Sequence, residues 1–225
     1  MYKFIDMKRD KASCIGFLFD LDGVIIDSER EYTRIWAQIN REFPSGVPDL
    51  EVKIKGCTLT KILTENYNYD ATRAAVSDRL HQLENEMKYD YLPHALNFLQ
   101  ELKRRNLPTV LVTSSDNKKM DHLRDEIPEI FDYFRYVVTG DMVNSSKPNP
   151  EGYLKGADLI KCAPQNCVVF EDSLQGVMAG KNAGSYVVGI EGTIPRESLA
   201  PYSHVIIKNF SEIDLDSLIL KLKER

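Results

Sequence analysis

The order of apolar and polar positions along the chain predicts a parallel α/β protein. Six short apolar runs lack the alternation of a half-exposed strand, which is typical of strands buried on both faces of a parallel sheet. These runs are CIGFLF at 14–19, TVLVTSS at 109–115, YVVTGD at 136–141, CVVFED at 167–172, YVVGI at 186–190 and HVIIKN at 204–209. Amphipathic segments with helical spacing lie between most of them. This repetition predicts a doubly wound parallel sheet with helices on both faces.

One part of the chain departs from the repetition. Between the first and second apolar runs, helical spacing follows Ser28, a predicted helix N-cap, and recurs over 59–66 and 71–89. About 60 residues of helix is long for a connection between neighbouring strands. We therefore predict fold class α/β, with a doubly wound, Rossmann-like core formed by 1–28 and 93–225 and an inserted α-helical cap domain formed by 29–92.

Four of the apolar runs end in, or are followed by, residues that can carry chemistry. They are Asp20 and Asp22, then Thr113, Ser114 and Ser115, then Gly140 and Asp141, and finally Glu171 and Asp172. Ligands of open parallel sheets bind beyond the carboxyl ends of the strands, so we expect these groups to meet in one place. An Asp in such a position can instead form a turn or cap the next helix, and Asp141 or Asp172 alone would fit that interpretation equally well.

Asp20 and Asp22 are the most informative pair. Residues two apart in an extended backbone share a face, and two carboxylates there are costly unless a cation joins them. Lys147, which is stiffened by the prolines of SSKPNP, is a candidate for one such cation. Oxygen ligands favour a hard ion, above all Mg²⁺, whereas the four scattered histidines have no metal-ligand spacing.

Composition and charge narrow the class of protein. With 43% apolar and 28% charged residues, the 225-residue chain can bury an ordinary core. A net charge of −5 without a basic block disfavours nucleic acid, and no run approaches the roughly 18 apolar residues of a membrane span. The polar first dozen residues do not resemble a signal peptide, and four cysteines without a CxxC pair indicate reduced thiols in a cytoplasmic protein. The motifs GxxxxGK[ST], GxGxxG and GxSxG are absent, which leaves nucleotide-binding and serine hydrolase interpretations without support.

Four motifs in order make the sequence resemble the haloacid dehalogenase-like hydrolase superfamily. They are DLDGV at 20–24, Thr113-Ser114 at a strand end, Lys147-Pro148, and Glu171-Asp172 in FEDSLQGVMAGKNAG at 170–184. Within the superfamily, the sequence resembles the β-phosphoglucomutase-like and phosphoglycolate-phosphatase-like branch, which carries a helical cap after the first motif. The resemblance covers nearly the whole chain, and the motifs are specific together although each is weak alone.

The resemblance implies a Mg²⁺-dependent reaction on a phosphate ester. It implies that Asp20 is the nucleophile and forms an aspartyl-phosphate, while Asp22 protonates the leaving alcohol and later deprotonates the attacking water. Lys147 would offset the phosphoryl charge.

The same resemblance implies how metal and phosphate are bound. The carboxylates of Asp20 and Asp172 and the main-chain carbonyl of Asp22 would hold Mg²⁺, with Glu171 as a further ligand or as a partner of one. Thr113 and the amide of Ser114 would hold phosphoryl oxygens.

The cap is expected to select the substrate, with Lys55 and Thr58 as candidate contacts. The sequence departs from the mutases at Tyr32, where they have a histidine, and at Leu59, where they have an arginine for a second phosphate. We therefore expect a phosphatase for a small phosphorylated metabolite such as a sugar phosphate, with a β-phosphoglucomutase-type phosphotransferase as the alternative. An inactive phosphometabolite-binding module and a metal-free dehalogenase fit the intact motifs less well. We expect a monomer whose partner is a small-molecule ester.

Overall fold

The computed structural model describes residues 14–224, and the first 13 residues, which are predicted to belong to the core, lie outside the described residues together with Arg225. Within the described part, six strands form one sheet. They are β1 Gly16–Phe19, β2 Thr109–Val112, β3 Tyr136–Val138, β4 Cys167–Glu171, β5 Tyr186–Ile190 and β6 Val205–Ile207. All neighbouring strands are parallel, in the order β3-β2-β1-β4-β5-β6. The predicted doubly wound α/β sheet is confirmed.

Helices cover the sheet and form one inserted group. Over residues 14–224 the α-helices are α1 Glu29–Glu42, α2 Leu50–Lys53, α3 Leu59–Asn66, α4 Asp70–Glu84, α5 Ala95–Arg104, α6 Asn117–Glu126, α7 Glu151–Leu159, α8 Leu174–Asn182, α9 Arg196–Leu199 and α10 Leu215–Lys223. Helices α1 to α4, here called the helical insert, lie between β1 and α5 in the sequence. Helix α1 packs against α2 and α4, and α4 contacts α6. The division into core and cap domains at 28/29 and 92/93 stays a prediction.

The strand order brings the polar strand ends together. Strands β1, β2 and β3 follow one another toward one edge of the sheet, and β4, β5 and β6 follow one another toward the other edge. The order in which strands are added therefore reverses between β1 and β4. Ligands bind at the carboxyl ends of the strands at such a switch point. In the register of β1 and β4, Phe19 lies beside Phe170, and the amide of Asp20 donates to the Phe170 carbonyl at 3.0 Å. The residues after these two strands are therefore neighbours.

Aromatic rings form the core directly below these strand ends. The rings of Phe19 and Phe170 stack with their centroids 4.6 Å apart, and Phe98 of α5 lies edge-on to both at 6.2 and 5.5 Å. The ring of Phe210 closes the cluster at 5.1 Å from Phe98. Truncating one buried Phe to Ala typically costs about 3–5 kcal/mol. The cluster therefore gives the site a rigid base.

Two local features of the helical insert differ from prediction. Helix α1 follows Ser28 as predicted, but the Ser28 hydroxyl donates to Asp22 and does not cap the helix. Helix α4 ends at Glu84, because the chain beyond it turns back and pairs with the segment that follows β1. The amide of Asp27 donates to the Asp90 carbonyl at 2.8 Å, and the amide of Leu92 donates to the Ile25 carbonyl at 2.9 Å. The two connections of the insert are thus bonded to each other.

The cysteines correct another prediction. Cys14, before β1, forms a disulfide with Cys162, after α7, whereas Cys57 and Cys167 are free. The expectation of four reduced thiols is wrong for this pair, because packing of α7 against β1 brings together residues that are 148 positions apart. The cysteines therefore give no support to the expectation of a reducing, cytoplasmic compartment.

In the part of the chain that the structure describes, no helix has the length and apolar character needed to cross a membrane.

Candidate active site

Asp20 is the first residue after β1 and lies in a buried cluster of charges. It is 6% exposed, and Lys147, which approaches it from the loop before α7, is 7% exposed. The Lys147 Nζ donates to Asp20 Oδ1 at 2.7 Å, to Glu171 Oε1 at 2.6 Å and to the Val112 carbonyl at 3.3 Å. Lys147 therefore connects the ends of β1, β2 and β4.

The charges in this cluster are strongly coupled. Burial disfavours the Lys147 ammonium, but the Asp20 and Glu171 carboxylates outweigh burial and raise the pKa of Lys147. Burial, together with repulsion from Glu171, outweighs the attraction of Lys147 and raises the pKa of Asp20 to about 7. One lysine thus stabilises two buried carboxylates incompletely. A further cation beside Asp20 would favour its ionised form.

Glu171 is fully buried and is fixed by five hydrogen bonds. Besides the bond from Lys147, Oε1 accepts one from the Tyr153 hydroxyl at 2.7 Å. Oε2 accepts from the amides of Asp172 and Ser173 at 3.1 and 3.2 Å and from the Ser173 hydroxyl at 3.0 Å. Gly176 of α8 permits this arrangement, since a Cβ there would lie 1.8 Å from Glu171 Cδ. These contacts fix the orientation of Glu171 and use most of its lone pairs.

Asp172 is 2% exposed and lies against the loop that follows β1. Its Oδ2 accepts a hydrogen bond from the Thr193 hydroxyl. Gly23 has φ +70°, and a Cβ there would lie 1.9 Å from Asp172 Oδ2, so both conformation and space require glycine. Carboxylate oxygens of Asp20, Glu171 and Asp172 lie within 4.8 Å of one another. That separation suits a single hard cation between them.

Asp22 faces the same cleft but has different partners. Its Oδ2 accepts from Lys119 Nζ at 2.5 Å and from the Ser115 hydroxyl at 3.3 Å, and its Oδ1 accepts from the Ser28 hydroxyl. Lys119 is 4% exposed, and its Nζ lies 4.1 Å from the centroid of the Tyr32 ring. The Asp22 side chain is therefore held by α6, by the residues that follow β2 and by the residue that precedes α1. Only the main-chain carbonyl of Asp22, and not its carboxylate, is predicted to bind the metal.

Thr113 and Ser114, the predicted phosphate-binding pair, follow β2 and line the same cleft as Asp20. The Thr113 Oγ1 donates to Ser115 Oγ and accepts from the Ser115 amide, both at 3.0 Å. The Ser114 hydroxyl donates to the Gly56 carbonyl at 2.9 Å, which connects the core to the helical insert. The pair is thus positioned beside the predicted nucleophile, and its binding of phosphate stays a prediction.

The cleft lies between the strand ends and the helical insert. Lys55, predicted to contact the substrate, lines it, as do Tyr32 and Leu59 at the two positions that depart from the mutases. Thr58 instead occupies the N-cap of α3, where its Oγ1 accepts from the Lys61 amide at 3.4 Å, and it lines a smaller adjoining cavity that also contains Lys147. The cleft is consequently shaped by both parts of the molecule.

Asp141 does not join the other strand-end groups. It is exposed, and its Oδ2 accepts from the amide of Asn117, the first residue of α6, at 2.8 Å. The expectation that all four strand ends meet is wrong at this position. The reason is that β3 is the edge strand and is separated from β1 by β2, roughly 10 Å away at ordinary strand spacing.

Sequence reasoning missed Lys119 and Tyr153. Lys119 lies in the polar segment DNKKMDH, which is typical of a solvated helix face, but it is buried where α6 meets Asp22 and the Tyr32 ring. Tyr153 lies on the apolar face of α7, where an aromatic side chain usually indicates ordinary core packing. Their position in the sequence could have indicated a role, because α6 and α7 both begin just after loops that carry predicted site residues.

Comparison with known proteins gives a match over most of the chain. A family model described as haloacid dehalogenase-like hydrolase matches residues 16–184. Hexitol phosphatase A of Escherichia coli (strain K12) is 33% identical over 189 residues, covering 79% of this chain and 83% of that protein. A probable pseudouridine-5'-phosphatase of Saccharomyces cerevisiae is 32% identical over 191 residues, covering 77% and 80%. The crystal structure of a β-phosphoglucomutase from Clostridium difficile has the same fold, with a TM-score of 0.78 at 20% identity over 94% of this chain and 98% of that one.

Proposed function

Because the chain belongs to the haloacid dehalogenase-like hydrolase family, we propose that it is a Mg²⁺-dependent phosphatase for a small phosphorylated metabolite, such as a sugar or polyol phosphate. The two relatives at 32% and 33% identity, which carry phosphatase names, support this class of reaction. The observation that carries the proposal is the geometry at Asp20. Its buried carboxylate is 2.7 Å from Lys147 Nζ, with Asp172 beside it and Asp22 two residues away at the same cleft.

In the proposed first step, a carboxylate oxygen of Asp20 attacks the phosphorus of the ester. The new oxygen–phosphorus bond gives an aspartyl-phosphate, and the bond from phosphorus to the leaving oxygen breaks. Lys147 offsets the charge of the phosphoryl group, and the Thr113 hydroxyl and Ser114 amide orient its oxygens. Burial of Asp20 excludes bulk water from this step.

Asp22 is proposed to move the protons. It gives a proton to the leaving alcohol in the first step, and it takes one from the water that attacks phosphorus in the second step. The second step breaks the bond to Asp20 and releases inorganic phosphate. The contacts from Lys119, Ser115 and Ser28 fix the position of Asp22. This supports proton transfer by Asp22 and nucleophilic attack by Asp20.

The proposal includes a Mg²⁺ ion, and the acidic residues fit one. The Asp20 and Asp172 carboxylates and the Asp22 main-chain carbonyl would hold it, and when bound it would supply positive charge that stabilises the transferred phosphoryl group. Of the three buried carboxylates whose oxygens lie within 4.8 Å of one another, two are paired with the same lysine, which favours a second cation. Glu171 already accepts five hydrogen bonds. We therefore propose that its role is to orient Lys147 and the loop that carries Asp172.

The helical insert is proposed to act as a cap that opens for substrate and closes over Asp20. Support comes from its position over the cleft and from its paired connections at 25–27 and 90–92, which suit a hinge. We extend the proposal to a monomer that needs no macromolecular partner. The mild net charge of −5 supports the absence of a nucleic-acid partner.

The alternative is a phosphotransferase of the β-phosphoglucomutase type. Such an enzyme must hold a second phosphate at the cap, and Leu59 offers no charge there. The cationic residues that line the cleft, within the described part of the chain, are Lys55 and Lys119, and Lys119 is bonded to Asp22. These observations favour the phosphatase.

The test is a screen of about one hundred phosphorylated metabolites with phosphate release as the readout, repeated with Mg²⁺ and with a chelator. We expect release of inorganic phosphate that requires Mg²⁺ and is fastest for sugar or polyol phosphates. Conversion of a sugar phosphate into an isomer that keeps its phosphate would establish the mutase instead. No Mg²⁺-dependent turnover of any ester would overturn the proposed function.

A further inference from the structure

A buried carboxylate of the helical insert faces the cleft with one oxygen unpaired. Glu84, at the end of α4, is 4% exposed and lines the cleft that contains Asp20 and Asp22. Its Oε1 accepts from the Tyr32 hydroxyl at 2.7 Å. Among residues 14–224, no donor lies within hydrogen-bond distance of the buried Oε2. Buried carboxylate oxygens are rarely left in this state, because the lost hydration is then not replaced.

Neighbouring groups of the protein do not account for this oxygen. Lys119 attracts Glu84, but its ammonium is bound to Asp22 at 2.5 Å and lies over the face of the Tyr32 ring. Burial outweighs that attraction and raises the pKa of Glu84. Burial also raises the pKa of Tyr32 well above its usual range, so Tyr32 remains a phenol that donates to Glu84. The carboxylate is thus oriented through Oε1, while Oε2 is left without a donor in a side chain that lines the cleft.

The surroundings of Glu84 indicate what kind of donor would fit. The insert wall of the cleft is largely apolar, with Trp36, Ile54, Leu59, Ile62 and Leu80. Such a wall suits a neutral leaving group rather than a second phosphate. Asp22, Lys119, Tyr32 and Glu84 form a chain of contacts, so Glu84 is separated from the proton-transferring carboxylate by two side chains. A donor that reaches Oε2 therefore lies on the distal part of the leaving group.

We propose that Glu84 Oε2 accepts a hydrogen bond from a distal hydroxyl of the substrate, which makes Glu84 a residue that selects polyol and sugar phosphates over esters that lack this hydroxyl. The inference rests on the proposed phosphatase function and deepens it. Removal of a hydroxyl that donates to a charged acceptor typically weakens the interaction by about 10- to 100-fold. Discrimination of that size between a substrate and its deoxy analogue is the expected signature.

The experiment measures kcat/KM for wild type, Glu84→Gln and Glu84→Leu on three kinds of ester. D-glucitol 6-phosphate and D-ribose 5-phosphate supply hydroxyls, their monodeoxy analogues lack one each, and p-nitrophenyl phosphate has a leaving group without any. Glu86→Gln is the matched control, since Glu86 is exposed just beyond the same helix and does not line the cleft. Thermal unfolding of each variant accompanies the kinetics.

For wild type and Glu86→Gln we expect one monodeoxy analogue to react about 10- to 100-fold less efficiently than its parent. In Glu84→Leu this ratio should fall to about one, and in Glu84→Gln, which keeps an acceptor oxygen, it should be intermediate. Glu84→Gln should unfold at the same or a higher temperature than wild type, because a neutral amide is easier to bury than a carboxylate.

Unchanged discrimination in Glu84→Leu would overturn the inference. So would equal losses on p-nitrophenyl phosphate and the polyol phosphates, or marked destabilisation of Glu84→Gln, since these indicate a purely structural role. Hydrolysis of p-nitrophenyl phosphate without any preference for a hydroxylated ester would overturn the inference and leave the proposed phosphatase intact. Failure of wild type to hydrolyse any ester would instead overturn the proposed function itself.

Discussion

The strand-end site and the insert wall of the cleft differ in how completely their buried polar groups are hydrogen-bonded. At the strand ends, Lys147 has three acceptors and Glu171 accepts five hydrogen bonds, so the polar atoms of these two side chains are hydrogen-bonded. In the helical insert, the described structure leaves Glu84 Oε2 and the Tyr67 hydroxyl buried without a partner. A site whose side chains are held in place before substrate arrives suits a chemical step common to many esters. A wall with an unused acceptor suits recognition of one kind of leaving group.

The largest expected effect is on turnover and tests the strand-end site. Asp20→Asn removes the nucleophile while keeping the shape and burial of the side chain, so hydrolysis of p-nitrophenyl phosphate should fall about 10⁴-fold or more. The matched control is Asp27→Asn, which changes an exposed Asp near the same loop and should retain activity. Residual turnover of Asp20→Asn above one tenth of wild type would show that another group attacks phosphorus.

The second prediction concerns stability of the same site. Lys147→Met leaves Asp20 and Glu171 buried without their shared cation, which should lower the free energy of unfolding by about 3–5 kcal/mol in urea titrations. The folded-state pKa of Asp20, already raised to about 7, should rise further in this variant. The destabilisation should therefore be greatest above that pKa and shrink as protonation removes the uncompensated charge at lower pH.

Lys155→Met is the control for this variant, since Lys155 is exposed on α7. An equal loss of stability in both variants, or a loss in Lys147→Met that does not depend on pH, would contradict a special role for the buried pairings.

The third prediction separates the two acidic motifs by metal affinity. Asp172→Asn should weaken Mg²⁺ binding by about 10- to 100-fold in calorimetry, because it removes a proposed carboxylate ligand. Asp22→Asn should stop turnover and leave Mg²⁺ affinity nearly intact, since its carboxylate bonds to Lys119 and Ser115. Equal loss of metal affinity in the two variants would show that the proposed division between metal binding and proton transfer is wrong.

The smallest expected effect compares the two regions directly. Tyr153→Phe removes a hydroxyl that donates to Glu171 at 2.7 Å and should cost about 1–3 kcal/mol of unfolding free energy. Tyr67→Phe removes a buried hydroxyl that has no partner within residues 14–224, and should change stability by less than about 0.5 kcal/mol or raise it. Similar costs for the two substitutions would remove the contrast between a hydrogen-bonded strand-end site and an incompletely hydrogen-bonded insert.

The residues of the strand-end site were accessible to sequence reasoning because strand periodicity and parallel topology fix their position. Once β1 and β4 are recognised as neighbours, Asp20, Glu171 and Asp172 must lie close together. Asp141 shows the limit of this reasoning, because the sequence does not state which strand lies at the edge of the sheet.

Contacts between distant segments were not accessible in the same way. Lys119 is buried where α6 meets Asp22 and the Tyr32 ring, and Glu84 accepts a hydrogen bond from Tyr32 on another helix of the insert. The disulfide of Cys14 and Cys162 joins residues 148 positions apart. Each depends on how helices pack, and single-residue patterns carry little information about that packing.

The proposed mechanism requires that Asp20 becomes phosphorylated during turnover. Wild-type protein mixed with Mg²⁺ and its best phosphate ester should be quenched with borohydride, which reduces an aspartyl-phosphate to homoserine, and the peptide that contains residue 20 analysed by mass spectrometry. We expect homoserine in place of Asp20, dependent on both ester and Mg²⁺, with Asp22 unmodified. Rapid hydrolysis of the ester with no reduced residue at position 20, or with the modification at Asp22, would contradict it.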